Sequence, residues 1–431
     1  MKQLQFTESN FEKLLREVTE TSSLFDLEIE KRTRAITEAV AADGDSALIR
    51  FTQQFDKASL TPAELVVSPE DCENAWKSIP AKIKSALKLS HRNVMAFAKE
   101  SRRRDWTGTN VQGARVGEKY DAFQRVGVYV PGGTAPLVST VIMTVSLARA
   151  AGCEEIVVTT PCGPDGTVNP YILGACHLAG ATEVYKVGGA QAIAALALGT
   201  RTIRKVQKIF GPGNAYVVTA KRLLFGHVSM DLLPGPSELL VLADSTANPK
   251  WVAADLLAQA EHGSTHERVF LVSTSKKLLK DVEKQVALQM ESLSRREFID
   301  KTLEIGGFSI HVKNLEMGIR LANAIAPEHC ELMVKDSRKV TRDIRTAGAI
   351  FVGGLSPTAL GDYLAGPSHV LPTGGAGLSF PGLTVDQFQR RTSVVEFNKA
   401  ALEKSVPALE TLAGLEGLDA HARSGSIRLE P

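Results

Sequence analysis

From Arg125 onward, short β-branched runs alternate with longer alanine-rich runs of helical period, the pattern of strands returned by crossover helices in a parallel sheet. Strands are predicted at 126–130, 156–159 and 184–187, with one helix reaching Ala151 and another around Leu173 between them. After Pro234-Gly235-Pro236-Ser237 the alternation returns. It predicts strands at 239–242, 269–272, 308–312, 332–334 and 350–352, with helices at 278–290 and 315–326 and a further one bearing Gln259 and His262. The class is therefore α/β, with two doubly wound parallel-sheet units.

The flanks read differently. Residues 1 to about 60 look helical: Ser9 and Glu12 have capping-box spacing, Leu14 and Leu15 follow, and Asp43-Gly44 is a stop signal. Helical patterning continues from Cys72 to Lys99, and Arg102, Arg103 and Arg104 read as a solvated face. The stretch 353–382 is rich in Gly, Pro and Ser and too long for a connector, which marks it as a functional loop. Helical pattern resumes around 402–412, before a short tail.

Composition narrows the classes. A chain of 431 residues exceeds one ordinary core, so two sizeable domains with smaller attachments are expected. With 44% hydrophobic and 23% charged residues and a net charge of +2, nothing calls for nucleic acid or an anionic membrane. The five cysteines are odd in number, widely spaced and without a Cys-x-x-Cys pair, which argues against disulfides and a thiolate zinc site. A reducing, cytoplasmic setting is expected. Glu8, Glu12 and Glu17 speak against a signal peptide, and the uncharged stretch 135–147 is short enough to be a buried helix rather than a membrane span.

Three glycine turns, Pro131-Gly132-Gly133, Gly188-Gly189 and Gly211-Pro212-Gly213-Asn214, fall where strands should end and helices begin. There the backbone can approach phosphate or ribose, although none matches the dinucleotide fingerprint, and plain tight turns are the alternative. Gln259 and His262 stand one helical turn apart and offer an amide oxygen and an imidazole to a divalent cation. Asp362 and His421 are the candidates to complete that set; zinc suits it, and manganese or cobalt can substitute. Glu328 and His329 place a carboxylate beside an imidazole after Pro327, suited to base work or water activation, with a satisfied surface pair as the alternative. In a regular strand the two would face opposite ways, so one site needs an irregular turn. Cys330 reads as a buried residue rather than a nucleophile.

Five separated motifs carry a resemblance: Gly127-Val128-Tyr129-Val130-Pro131-Gly132-Gly133, Gly211-Pro212-Gly213-Asn214-Ala215-Tyr216, Gln259-Ala260-Glu261-His262-Gly263, Ala326-Pro327-Glu328-His329, and Gly361-Asp362-Tyr363 through His369-Val370-Leu371-Pro372-Thr373. In that order, and with Glu416 and His421 near the end, they resemble the histidinol dehydrogenase family over nearly the whole chain.

The resemblance implies a zinc-dependent, NAD-linked homodimer that oxidises L-histidinol through L-histidinal to L-histidine, with active sites shared between subunits. It places zinc on Gln259, His262, Asp362 and His421, and substrate on Ser237, His329 and Glu416 beside those ligands. Tyr129, Gln191 and Asn214 hold NAD, and Glu328 and His329 are the bases, with the metal mainly orienting substrate. The implied domains are an N-terminal helical segment (1–24), a larger α/β domain with the metal and catalytic residues (25–125 and 235–380), a Rossmann-like NAD domain (126–234) and a small C-terminal helical domain (381–431) serving the partner's site. The rivals are a dehydrogenase of the same fold acting on another small amino or sulfonated alcohol, a zinc hydrolase, and a metal-stabilised binding protein.

Overall fold

The structure is a computed structural model that describes residues 1–9, 11, 13, 15, 18, 26–132, 136–264 and 266–431. Its strands are numbered β1 to β15 along the chain. The first sheet contains β2 (Val66–Val67), β5 (Arg125–Tyr129), β6 (Glu155–Thr160), β7 (Glu183–Lys186), β8 (Lys208–Phe210) and β9 (Ser229–Met230). Their order is β2-β7-β6-β5-β8-β9, parallel except where β2 meets β7. The second contains β1 (Lys2–Gln5), β10 (Glu238–Ala243), β11 (Arg268–Ser273), β12 (Gly307–His311), β13 (His329–Met333) and β14 (Ala349–Val352). It is parallel throughout, in the order β1-β12-β11-β10-β13-β14. A small antiparallel sheet joins β15 (Gln389–Glu396), β4 (Arg115–Ala122) and β3 (Trp106–Thr109).

The α/β class with two doubly wound units is thus what the chain adopts. The central strands are covered on both faces, so β5 and β10 are buried at every position and read as continuous apolar runs rather than alternating ones. The uncharged stretch before Ala151 is the helix Val138–Ala151, ended by Gly152 in the left-handed conformation. Among the described residues no helix is long and apolar enough to cross a membrane.

Several expectations change. The chain opens with a strand, because Lys2–Gln5 finds a free edge on β12; Phe11, Lys13, Leu15 and Val18 are helical, whereas Glu12, Leu14 and Glu17 lie outside the described residues. Residues 25–125 were grouped with 235–380, yet their apolar side chains pack on the first sheet. Ile36, Val40, Leu48 and Leu65 join Tyr129 and Ile193 on one face, and Val67, Cys72 and Val94 join Val126 and Ile142 on the other. Helix Ala81–Ser101 still reaches the other unit, through Ser90 Oγ and Asn93 Nδ2 donating to the carbonyls of Tyr363 and Leu364. The chain just past the long loop returns to the first sheet as well, with Phe388 stacked on Phe210 at 3.7 Å between ring centroids. Residues 381–431 are not wholly helical: β15 precedes the helices Lys399–Leu415 and Asp419–Ser426, which pack on each other. These edge strands are short or charged and give weak period-two signals.

Candidate functional site

The order in which the chain adds strands to the second sheet reverses between β10 and β13, where Leu239 lies opposite His329. Its chemistry gathers at the amino ends of these strands. Helix Pro249–Ala260 follows β10 and runs back along the sheet, so its last turn delivers Gln259 to that edge. His262 lies just beyond the helix end, its Nδ1 held 3.0 Å from the Gln259 carbonyl, which leaves Nε2 for other partners. Gly263 follows in the left-handed region, as a helix stop should.

Ala326 has a positive φ of 49°, and β13 begins only at His329, so the backbone around Glu328 is irregular, as one shared site requires. Glu328 and His329 both bind the start of β10. Ser237 Oγ and the Glu238 N–H, the latter at 3.0 Å, donate to Glu328 Oε2, and His329 Nδ1 stands 3.1 Å from the Glu238 carbonyl. A carbonyl can only accept, so Nδ1 carries a proton and Nε2 faces Asp362 Oδ1 at 3.6 Å.

Both bases are buried. Burial pulls the His329 imidazolium down, but the Glu328 and Asp362 carboxylates outweigh it and hold its pKa up at about 9. Burial pushes Glu328 above the usual carboxylate range, against the pull of His329 and Ser237. Burial also works against the Asp362 carboxylate, yet His329, His369 and His262 together hold it ionised, below its ordinary value.

Several buried groups around this centre escaped the sequence reading. Glu238 is pushed up to about 7 by burial while Arg268 and the Gly374 N–H hold it, the latter at 3.0 Å, tying the Gly-rich loop to the site. Asp255 and Glu331 form a buried carboxyl pair. Burial raises Asp255 to about 6 and, with the Asp255 charge, raises Glu331 well above its ordinary value, so the pair retains a proton. Thr358 N–H donates to Glu331 at 2.9 Å, so this pair joins the helix of Gln259, the strand of His329 and the helix Thr358–Tyr363 that carries Asp362. The signal was present: Asp255 is four residues before Gln259 on a helix, and Glu331 two after His329 on a strand. His369 Nδ1 stands 3.1 Å from the Asp362 carbonyl and its Nε2 3.4 Å from Thr140 Oγ1, in the first turn of helix Val138–Ala151. That helix leaves β5 of the first sheet, so the two units meet here.

In the first sheet the equivalent switch point lies between β5 and β8, and the glycine turns occupy its carboxyl edge. Gly211 has φ +110°, and a Cβ there would collide with the Tyr129 carbonyl, so only glycine serves. Tyr129 is buried, its hydroxyl accepting from the Gly189 N–H at 3.2 Å. Asn214 caps helix Ala215–Leu224 by accepting from the Tyr216 and Val217 N–H groups. Gln191 is 1% exposed, and its Oε1 has no partner. Gly133 lies outside the described residues.

Gln259, His262 and Asp362 are brought to one locality, and their amide, imidazole and carboxylate suit a divalent cation such as zinc. Gln259 is buried at this edge, and its amide oxygen is the atom that would bind such an ion. Glu416 and His421 are elsewhere, exposed on the C-terminal helical hairpin, their backbone N–H groups bonded within it. Among the described residues no three His, Cys, Asp or Glu side chains of one chain converge as metal ligands. On the nucleotide side the unpartnered Gln191 oxygen and the Cβ-free turn at Gly211 fit a dinucleotide.

A crevice edged by glycine turns in one doubly wound unit, meeting a buried imidazole–carboxylate centre from the other, is an arrangement that an oxidoreductase of the two-unit α/β class can use. The model of the histidinol dehydrogenase family matches residues 19–429, and the chain belongs to that family. It is 45% identical over 399 residues to histidinol dehydrogenase of a Synechococcus species, covering 93% of this chain and 92% of that one. To the enzyme of Rhodopseudomonas palustris it is 46% identical over 402 residues, 93% of each chain. The crystal structure of histidinol dehydrogenase from Elizabethkingia anophelis superposes with a TM-score of 0.95 at 33% identity, covering 100% of this chain and 98% of that one. The chain is accordingly an oxidoreductase of histidine biosynthesis.

Proposed function

We propose that the protein oxidises L-histidinol to L-histidinal and then to L-histidine, reducing two NAD, with zinc on Gln259, His262, Asp362 and the partner subunit's His421. The observation that carries the reading is the buried Glu328–His329 pair, both anchored on the Glu238 backbone at the start of β10, with His329 Nε2 facing Asp362. When bound, NAD supplies the hydride acceptor for both oxidations, and a divalent cation supplies a positive anchor for the substrate's amine and imidazole.

His329 in its neutral form, with Nδ1 donating to the Glu238 carbonyl, takes the alcohol proton through Nε2 as the carbinol hydride leaves, giving the aldehyde; the Glu328 and Asp362 carboxylates that raise its pKa stabilise the imidazolium formed. Glu328, held by Ser237 and the Glu238 N–H, takes a proton from water as that water adds to the aldehyde; a second hydride and proton then leave the hydrate to give the acid. Ser237 also borders the substrate. Glu416 and His421, exposed on a terminal hairpin, reach the site of a second subunit in a homodimer.

The test is NAD reduction by the purified protein with histidinol, histidinal and other amino alcohols, before and after chelation. Reduction with histidinol and histidinal, lost on chelation and restored by zinc, manganese or cobalt, is expected. Turnover of a different amino alcohol alone overturns the substrate; full activity of metal-free protein overturns the metal. For assembly, mixed subunits of inactive Glu328→Gln and inactive His421→Ala should recover activity when they exchange. No recovery under demonstrated exchange overturns the shared site.

A further inference from the structure

The carboxyl edge of the first sheet holds an unassigned carboxylate. Asp56 follows helix Asp45–Phe55, and its Oδ2 is buried without a partner. Its charge adds to burial in raising the Tyr129 hydroxyl, at the end of β5, and the Cys162 thiol, two residues past the end of β6. Burial raises Asp56 itself to about 6. A second acceptor is orphaned on the same edge, Gln191 Oε1, beside Gly189, whose N–H is already donated to Tyr129.

Two buried acceptors without donors call for a ligand that brings donors. A phosphate brings none, and its charge would meet the Asp56 carboxylate. A ribose diol brings two. In dinucleotide-binding units an acid borne past the second strand of the unit takes the ribose 2′-hydroxyl and discriminates against a 2′-phosphate. Here the second strand is β6, which ends in Thr159 and Thr160 and continues Pro161-Cys162-Gly163 with no acid. Asp56, from a distant part of the sequence, stands in that place. Lys186, the cation whose field reaches Cys162, also faces the exposed carboxylates of Asp165 and Glu64.

We propose that Asp56 selects the coenzyme: its unpartnered carboxylate oxygen accepts from the adenosine ribose 2′-hydroxyl of NAD and disfavours the 2′-phosphate of NADP, with Gln191 Oε1 taking the neighbouring hydroxyl. This rests on the NAD reading above and adds to it a residue and a selectivity.

The test is calorimetric binding of NAD, of NAD lacking the adenosine 2′-hydroxyl, and of NADP to the purified protein, its Asp56→Ala variant and its Asp56→Asn variant, each checked for unchanged melting. The unsubstituted protein should bind the deoxy compound at least ~10-fold more weakly than NAD, the strength of a hydrogen bond to a charged group. Asp56→Ala should bind NAD and the deoxy compound alike and narrow the discrimination against NADP by at least ~10-fold. Asp56→Asn, which keeps shape and loses charge, should fall between. Equal affinity of the unsubstituted protein for NAD and the deoxy compound overturns the proposal, as does unchanged selectivity in a folded Asp56→Ala. No binding of NAD to the unsubstituted protein instead sinks the coenzyme reading itself.

Discussion

The strand at the switch point of each sheet, β5 or β10, opens with a charged residue set against the first residue of the strand that follows it in the chain: Arg125 against Glu155 in one, Glu238 against Arg268 in the other. In the first unit Arg125 is 6% exposed and also binds Glu183, so one buried guanidinium joins the amino ends of three neighbouring strands. In the second unit the buried residue is the carboxylate, and beside it stand Glu328 and His329. The carboxyl edges show the reverse. Asp244 closes the second unit's crevice by accepting from the Thr246 and Lys335 N–H groups at 2.8 and 2.9 Å, whereas the first unit's crevice is lined by glycine turns and unpartnered oxygens. One topology thus leaves a different edge open in each unit: side chains saturate the amino edge of the first and the carboxyl edge of the second.

The sharpest way to break this comparison is at the second unit's open edge. His329→Asn should lower NAD reduction from both histidinol and histidinal by at least ~100-fold, and Glu328→Gln should do so chiefly for histidinal, in single-turnover measurements on folded protein. Equal slowing of both steps by Glu328→Gln would assign the water-activating role to His329 as well.

The closed edge of the first unit should answer in stability instead. Arg125→Met removes the buried cation and leaves Glu155 and Glu183 only the exposed Arg204, and should cost about 3 kcal/mol in denaturant unfolding, with turnover per folded molecule retained. The Arg125 hydrogen bond, against burial, lowers Glu183 from 4.5 to about 2. Its stabilisation is therefore complete above about pH 4.5 and is lost as pH falls toward 2, and Arg125→Met should flatten that acid limb.

Asp244→Ala should cost about 1–2 kcal/mol by orphaning two backbone donors, leaving coenzyme affinity as it was. The counterpart in the first unit, Asn214→Ala, removes a helix cap for about 1 kcal/mol but should also weaken NAD binding measured by calorimetry. If Asp244→Ala weakened NAD as much as Asn214→Ala did, the carboxyl edges would not differ in function.

Much of this was legible along the chain. The strands at 126–130, 156–159, 239–242 and 269–272 were predicted within a residue or two, because a strand buried on both faces is apolar along its middle, with polar residues only at its ends. Glu328, His329, Gln259, His262 and Asp362 were legible as chemistry because their residue types are uncommon at strand mouths and helix ends. Edge strands such as Lys2–Gln5 and Gln389–Glu396 were not, since one partner and partial exposure leave their composition almost free.

The sequence by itself determined the class, the number of units, and which side chains carry imidazole, amide and carboxylate chemistry, because local periodicity and residue type are properties of the chain alone. Only the tertiary structure decided that residues 25–125 cover the first sheet, that Asp255 lies against Glu331, and that Asp56 stands at the end of β6. Those are contacts between segments far apart in sequence, chosen by which apolar faces bury each other, and no local pattern encodes which buried charge will be left without a partner.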